Sequence, residues 1–82
     1  MKTVLYTTDA LKDLKRHGNV RDRLRKAIEH YAADPNAHAN NVKALTGTSG
    51  RRLRVGDFRI IFEETEIDIK VTKIGPRGDV YR

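Results

Sequence analysis

The chain contains no cysteine, and its only serine is Ser49. Without cysteine it can form neither a disulfide framework nor a zinc–thiolate site, so packing must supply its cohesion and a reducing compartment suits it. Ser49 lies in a turn with a glycine on either side of the Thr48-Ser49 pair, and the turn lacks the lysine that ends a phosphate-binding loop. Nucleophilic catalysis by a thiol or by a serine triad therefore has no support.

Long hydrophobic runs are also absent. No stretch reaches the roughly 18 consecutive apolar residues of a transmembrane helix, and the first six residues carry no signal-peptide pattern. We therefore expect no membrane segment, no secretion and a cytoplasmic location. The chain has 82 residues, and we predict one domain spanning residues 1–82.

Basic residues outnumber acidic ones by 17 to 11, which gives a formal net charge of +6. The excess is uneven, because residues 43–59 carry five basic residues and one aspartate, whereas residues 60–69 carry four acidic residues and no basic one. A basic surface of this kind favours a polyanionic or acidic partner without identifying it. We expect a basic concavity beside an acidic hairpin tip.

The N-terminal half predicts one strand followed by two helices. Residues 3–6 are β-branched, aromatic or apolar, and Thr7-Thr8-Asp9 supplies side chains that cap helices. A first helix is predicted from about Asp9 to His17, ending at Gly18 in a left-handed conformation. Asn19 is then expected to cap a second helix, whose apolar residues recur at helical spacing up to Asp34-Pro35. Together they predict an antiparallel helical hairpin.

The C-terminal half alternates between apolar and polar residues, which is typical of strands. After a polar loop over residues 36–41, Leu53 and Val55 alternate with arginines, and a tight turn is predicted at Gly56-Asp57. A second turn is expected at residues 63–66, followed by a strand that Gly75-Pro76 ends. The fold class is therefore α+β, with an N-terminal strand, a helical hairpin and a three- to four-stranded antiparallel sheet.

Three arginines are predicted to share one face of the central hairpin, namely Arg52, Arg54 and Arg59. Charged residues are usually exposed, so a solvated sheet face is the plain interpretation. Like charges on adjacent strands repel, however, and a bound polyanion would compensate them because guanidinium groups bind phosphate in a planar fork. Arg77 and Tyr81 would add a fourth cation and a ring that stacks on a base. Lys43 and Arg51 extend the basic segment as candidate substrate-binding residues.

Other catalytic templates have little support in the sequence. The three histidines, His17, His30 and His38, are spaced unlike any compact metal motif, and surface or helix-end roles are expected for them. The carboxylates gather at a hairpin tip instead of across a cleft, so a solvated edge that blocks aggregation is expected. We predict neither a metal site nor a cofactor.

The sequence resembles the RelE/ParE superfamily of toxins from toxin–antitoxin systems. The resemblance spans nearly the whole chain and is carried by KALTG at residues 43–47, RLRVGDFRIIF at residues 52–62 and IGPRGDVY at residues 74–81. Such toxins are compact α+β domains with an antiparallel sheet. The resemblance implies either messenger RNA cleavage in the ribosomal A site, as in RelE-like members, or poisoning of DNA gyrase, as in ParE-like members.

The RelE-like comparison also implies roles for individual residues. Basic residues on one strand, an arginine on the next, a later arginine and a tyrosine near the C-terminus serve cleavage in that family. The matching positions are Arg52, Arg54, Arg59, Arg77 and Tyr81. The implied reaction is attack of a ribose 2′-hydroxyl on its own 3′-phosphate without a metal, with Arg59, Arg77 and Tyr81 as catalytic residues.

We predict a ribosome-dependent endoribonuclease that inhibits translation and is silenced by a cognate antitoxin, within a hetero-oligomeric complex. The predicted antitoxin segment is acidic, partly disordered and amphipathic, and it wraps the sheet and the helical hairpin. Two alternatives remain open at this point. One is a ParE-like gyrase inhibitor that uses another surface of the same fold. The other is a non-catalytic RNA-binding module, for which a basic patch suffices.

Overall fold

The computed structural model describes residues 2–45 and 50–76, with the backbone alone for residues 38–40. Strand β1 (Thr3–Tyr6) leads into helix α1 (Thr8–Arg16). The predicted cap is confirmed, since the Thr7 hydroxyl accepts a hydrogen bond from the Ala10 amide at 3.1 Å. Ala10 and Leu14 of α1 are buried, as helical spacing requires.

Helix α2 (Arg21–Ala33) follows after a short turn, and two predictions about that turn are wrong. Gly18 does not adopt a left-handed conformation, and Asn19 does not cap α2, whose N-cap is Val20 without a side-chain hydrogen bond. The turn instead closes through backbone bonds, from the Val20 amide to the His17 carbonyl and from the Arg21 amide to the Gly18 carbonyl. These bonds occupy the groups that a capping side chain would have satisfied.

The segment predicted as a polar loop is more regular than its sequence suggests. Pro35–Asn41 forms a 3₁₀ helix, and Val42–Ala44 forms the short strand β2. The Asp34 side chain supports the start of the 3₁₀ helix by accepting from the Ala37 amide at 3.4 Å. Proline at position 35 ends α2 as predicted, since it disfavours helical geometry in the residue before it.

The remaining strands are β3 (Arg51–Val55), β4 (Phe58–Glu64) and β5 (Asp68–Pro76), and the sheet order is β1-β5-β4-β3-β2. The four strands from β2 to β5 are antiparallel neighbours, which confirms the predicted meander. β1 adds a parallel pair with β5, with Thr3 opposite Asp68 and Tyr6 opposite Val71. A parallel neighbour requires a long crossover connection, and the two helices begin that connection.

Both helices pack on one face of the sheet. The core joins residues of α1 and α2 to the inward-facing residues of β3, β4 and β5. Phe62, Leu24, Ile28, Ile60, Ile69 and Val71 are its largest fully buried side chains. Alternation predicts Ile67 on the apolar face of the last strand, but this residue precedes β5 and is 75% exposed.

The turn between β3 and β4 depends on glycine. Gly56 has a φ of 58°, and a Cβ atom built there would lie 2.6 Å from Nη2 of Arg23. Position 56 therefore favours glycine for its left-handed backbone conformation, whereas the Arg23 guanidinium is the end of a flexible side chain and could move aside for a Cβ atom. This turn sets the register of the two strands that carry Arg54 and Arg59.

Strand β5 contains an irregularity that simple alternation does not predict. Ile61 pairs with Lys73 and Phe62 with Val71, so Thr72 is an extra residue on β5. The bulge reverses the alternation, and Ile74 is buried although it is an odd number of residues from Val71. The strand also continues through Gly75-Pro76, where it still pairs with β4. Pairing with β1 ends at Val71, so β5 is an edge strand on that side, and edge strands tolerate proline.

Neither described α-helix has the length and apolar composition of a membrane-spanning helix. Within the described ranges, no group of three or more histidine or acidic side chains could hold a metal ion.

Candidate nucleic-acid interface

The sheet face opposite the helices, which we call the open face, carries most of the predicted site. Side chains of a strand alternate between faces, so the burial of Leu53 and Ile60 on the helix side places their neighbours on the open face. Its basic end consists of Lys43, Arg52, Arg54, Arg59 and Lys73, together with Ile61. The described acidic residues of this face, Glu63 and Asp68, lie toward the other end of the same sheet.

The register arranges these cations in two adjacent rows across the strands. In the first row Lys43 pairs with Arg52, Arg52 with Ile61, and Ile61 with Lys73. In the second row Arg54 lies directly opposite Arg59, and Gly75 follows Arg59 on β5. Directly opposed residues have Cβ atoms about 4.5–5.5 Å apart, so the two guanidinium side chains begin as close neighbours of the same charge.

Arg59 differs from the other cations because it is only 5% exposed. Its Nη1 donates to the Phe58 carbonyl at 3.3 Å, which draws the side chain back along its own strand. Its Nε is buried and has no hydrogen-bond partner among the described residues. A buried cationic donor without an acceptor costs free energy, and such groups often mark functional sites.

The structure does not bring Arg51 together with the other basic residues. Alternation along β3 places it on the helix side, where it pairs in register with Ala44 and Phe62. Its Nε lies 3.8 Å from Oε1 of Glu64. Arg51 therefore lies on the other face of the sheet from these cations, which charge counted along the chain does not reveal. Its substrate-binding role stays a prediction.

The predicted residues Arg77 and Tyr81 fall in residues 77–82, outside the described part of the chain. Their roles stay predictions. The last described residue before them is Pro76, which pairs with Phe58 at the Arg59 end of β4.

On the helix side the structure reveals a polar cluster around Glu64, whereas the sequence predicts that this carboxylate lies at a solvated edge. Glu64 accepts from the Tyr31 hydroxyl at 2.6 Å and from Nζ of Lys2 at 2.5 Å. Its side chain is 10% exposed, so the prediction of a solvated carboxylate at the hairpin tip is wrong for this residue. The alternation along β4 does indicate its position, since Glu64 is spaced to share the face of Ile60 and Phe62.

The cluster shifts two protonation equilibria. Burial raises the pKa of the Glu64 carboxyl, but the hydrogen bonds from Lys2 and Tyr31 outweigh it and hold that pKa below its ordinary 4.5. Burial and the adjacent Glu64 carboxylate raise the pKa of the Tyr31 hydroxyl to about 12. Both shifts favour the pair observed, a charged carboxylate accepting from a neutral phenol.

Described residues on the helix side line a cavity of about 570 Å³, which borders the cluster and includes Lys2, Tyr31, Arg51 and Glu64 in its lining. A further cavity, of about 490 Å³, is mostly apolar and lies beside α1 and α2. Its lining combines apolar and aromatic residues with three cations, namely Tyr6, Leu11, Leu14, Lys15, Arg21 and Arg25.

Comparison with known proteins identifies the family of this fold. The family model for the ParE toxin of the type II toxin–antitoxin system parDE matches residues 4–81. No curated protein sequence matches the chain significantly.

Solved structures agree with that match. A chain of the RelB–RelE antitoxin–toxin complex from Methanococcus jannaschii is 27% identical, with a TM-score of 0.71 and 94% of each chain covered. A chain of the archaeal RelE–RelB complex from Pyrococcus horikoshii is 25% identical, with a TM-score of 0.75, covering 95% of this chain and 97% of that one. The Escherichia coli RelBE complex shares the fold at 18% identity, with a TM-score of 0.72 and coverage of 93% and 96%. The chain therefore belongs to the ParE toxin family of type II toxin–antitoxin systems.

Proposed function

We propose that this toxin is a ribosome-dependent endoribonuclease that cuts messenger RNA and thereby inhibits translation in the cytoplasm. The observation that carries the proposal is the Arg54–Arg59 pair on the open face, where two like charges are opposed and the Arg59 Nε lacks a described acceptor. A phosphate between them would supply the missing acceptor and offset the repulsion.

The chemistry follows from what guanidinium groups can do. When a ribose 2′-hydroxyl attacks its own 3′-phosphate, a bond to phosphorus forms, the bond to the 5′-oxygen breaks, and negative charge accumulates on the phosphoryl oxygens. Fixed donors around that charge stabilise the transition state, and holding the attacking and leaving oxygens in line adds a further large contribution. The products are a 2′,3′-cyclic phosphate and a free 5′-hydroxyl.

Proton transfer needs a group other than these arginines. Guanidinium groups remain protonated at neutral pH and therefore accept protons poorly. We assign that step to the C-terminal part of the chain, where Tyr81 is the candidate to shuttle a proton or to stack on a base. Arg77 is proposed to share the scissile phosphate with Arg59, while Arg52, Arg54 and Lys43 orient the substrate.

The test is to add the purified toxin to ribosomes translating a defined message and to map both ends of the fragments. We expect cuts within the codon in the A site, bearing a cyclic phosphate, and no cuts in the same message without ribosomes. Growth arrest with intact messages would reject the proposal. Replacing Tyr81 by Phe or Arg77 by Ala should restore growth without unfolding the protein, and unchanged toxicity would remove that residue from the site.

We also propose a cognate antitoxin as the partner. The related chains from Methanococcus jannaschii and Pyrococcus horikoshii are parts of RelB–RelE complexes. In this chain, the apolar cavity beside α1 and α2 has Leu11 53% exposed and three cations at its border, which suits an acidic amphipathic segment. A short reading frame next to this gene, encoding a protein that copurifies with the toxin and neutralises it, would support the pairing. Absence of such a neighbour would count against it.

Inhibition of DNA gyrase is the second candidate, and the match to the ParE family model favours it. A supercoiling assay with purified gyrase separates the two candidates. Inhibition at toxin concentrations that leave messages intact would replace the nuclease proposal, and unaffected supercoiling would retain it.

A further inference from the structure

Lys73 occupies a position that simple alternation along β5 would not give it. Counting every second residue from Ile69 and Val71 places Lys73 on the helix side. The extra residue Thr72 reverses that phase, so Lys73 pairs with Ile61 and lies on the open face, where it is exposed. Without the bulge, this ammonium would have to be accommodated in the core.

Its position completes the first row of cations. The row begins at Lys43 on β2, continues through Arg52 and Ile61, and ends at Lys73 on β5. Neighbouring strands are about 4.8 Å apart, so the row spans roughly 14 Å across three strand spacings. It runs alongside the Arg54–Arg59 pair, and the span exceeds what one phosphate group can contact.

Lys70 provides an internal contrast on the same strand and the same face. It pairs with Glu63 and Leu5, at the end of the sheet that carries acidic residues. Lys73 has no acidic residue in its row, and among the described side chains neither lysine forms an ion pair. The two lysines therefore differ in the charge of the residues opposite them, while they share a strand and a face and both are exposed.

We infer that Lys73 is a further substrate-binding residue, which contacts a backbone phosphate flanking the one held by Arg54 and Arg59. The inference rests on the proposed nuclease function for its substrate class, a single-stranded RNA whose backbone crosses the strands along the first row. An ammonium is a suitable group at this position because it binds phosphate as a point charge and demands no fixed orientation. Lys73 does not touch the reacting atoms in this arrangement, so it should affect binding and leave the chemical step unchanged.

The first measurement is equilibrium binding of a 2′-O-methylated single-stranded RNA, which lacks the attacking hydroxyl and cannot be cut. Affinity is recorded over a series of salt concentrations for the wild type, Lys73→Gln and Lys70→Gln. Loss of one phosphate contact should reduce the slope of log affinity against log salt by about 0.7 for a single strand. We expect that reduction, with up to about fivefold weaker binding, for Lys73→Gln only. Lys73→Arg should restore both values.

The second measurement is cleavage on programmed ribosomes. Lys73→Gln should raise KM by a similar factor with kcat unchanged, as expected when an interaction is equally strong in the ground and transition states. Equal slopes and equal KM values for Lys73→Gln and wild type would overturn the inference, and so would an identical loss in Lys70→Gln.

The two proposals can fail separately. If the wild type does not cut messages but its RNA binding shows the slope change at Lys73, the nuclease proposal fails and the binding row stands. If the wild type cuts messages and Lys73→Gln matches it in every respect, the role of Lys73 fails and the nuclease proposal stands.

Discussion

The two faces of the sheet use charged residues in opposite ways. On the helix side, Glu64 is surrounded by Lys2, Tyr31 and, at 3.8 Å, Arg51, so that its charge is compensated inside the protein. On the open face, Arg54 opposes Arg59, and neither forms an ion pair with a described acidic residue. Removing one partner from a buried, compensated charge pair destabilises a fold, whereas like charges directly opposite each other cost stability that a bound ligand of opposite sign would offset. The first cluster is therefore expected to matter for folding, and the second is where we propose that a polyanion binds.

The largest expected effect is a loss of cleavage activity when an arginine of the open face is removed. Arg59→Ala should lower the single-turnover cleavage rate about 10²–10³-fold, because it removes a fixed donor from the phosphate. The free energy of unfolding should change by less than about 1 kcal/mol, since a partly unsatisfied, repelled cation is removed. Cleavage on programmed ribosomes and urea denaturation measure the two quantities, with Lys70→Ala as the control on the same face. Normal cleavage together with a large loss of stability would make Arg59 a structural residue.

Glu64→Ala should show the reverse pattern. It leaves Lys2 and the Tyr31 hydroxyl without their common acceptor, and we expect a loss of about 2–4 kcal/mol in the free energy of unfolding. Glu63→Ala is the matched control, because Glu63 is the adjacent residue on β4, points to the other face of the sheet and is exposed. The midpoint of urea unfolding measures both variants. A Glu64→Ala protein as stable as the control would show that the cluster contributes nothing to the fold.

The same cluster predicts a pH dependence. A carboxyl whose pKa is lowered by folding stabilises the protein above its ordinary pKa of 4.5 and loses that contribution as the pH falls through the lowered value. The stability difference between wild type and Glu64→Gln should therefore be largest near neutral pH and shrink between about pH 5 and pH 3. Urea midpoints across that range measure it, and parallel curves for the two proteins would contradict the assignment.

A charge reversal can give the open face the compensation that it lacks. Arg54→Glu places a carboxylate directly opposite Arg59, and an opposite-charge cross-strand pair should raise the free energy of unfolding by about 0.2–1 kcal/mol. RNA binding should be lost at the same time, because the carboxylate competes with phosphate for Arg59. Thermal unfolding and the binding assay measure the two effects. A destabilised protein would show that the opposed arginines do not repel each other appreciably.

The smallest effect is expected at Arg51. Its position in the basic segment is the reason that the sequence predicts it to be a substrate-binding residue. Its Nε lies at the far limit of an ion pair, and half of the side chain is exposed. Arg51→Ala should change the unfolding free energy by less than about 0.5 kcal/mol and leave the RNA affinity unaltered. Weaker RNA binding in this variant would return Arg51 to the substrate surface.

The regular elements are predictable because each depends on nearby residues. Thr7 caps α1, Pro35 ends α2, and Gly56 supplies the left-handed turn between β3 and β4, as their side-chain chemistry predicts. The predictions that are wrong concern side chains whose hydrogen-bonding partners are distant in sequence, or whose expected partners are already bonded to the backbone. Asn19 has the chemistry of a helix cap, but backbone bonds across residues 17–21 satisfy those groups first. Glu64 has the sequence context of a solvated carboxylate, although Lys2 lies 62 positions away and binds it.

The candidate site divides in the same way. Alternation along two short strands is enough to predict Arg52, Arg54 and Arg59 on one face, and the register agrees. Lys73 is missed by alternation because a single extra residue, Thr72, reverses the faces of everything after it on β5. Two successive polar residues between Val71 and Ile74 are the available signal, and they do not by themselves distinguish a bulge from a strand end.

Neighbouring residues are sufficient to define the two helices, the apolar sides of β3 and β4, the excess of positive charge and the family resemblance, because all of these are local properties of the chain. Long-range contacts were needed to establish that β1 joins β5 in parallel, that Glu64 is enclosed by Lys2 and Tyr31, and that Arg59 is buried. These outcomes depend on which distant segments meet and on the register in which the strands pair. A pairing register is a relation between two strands, and neither strand specifies it alone.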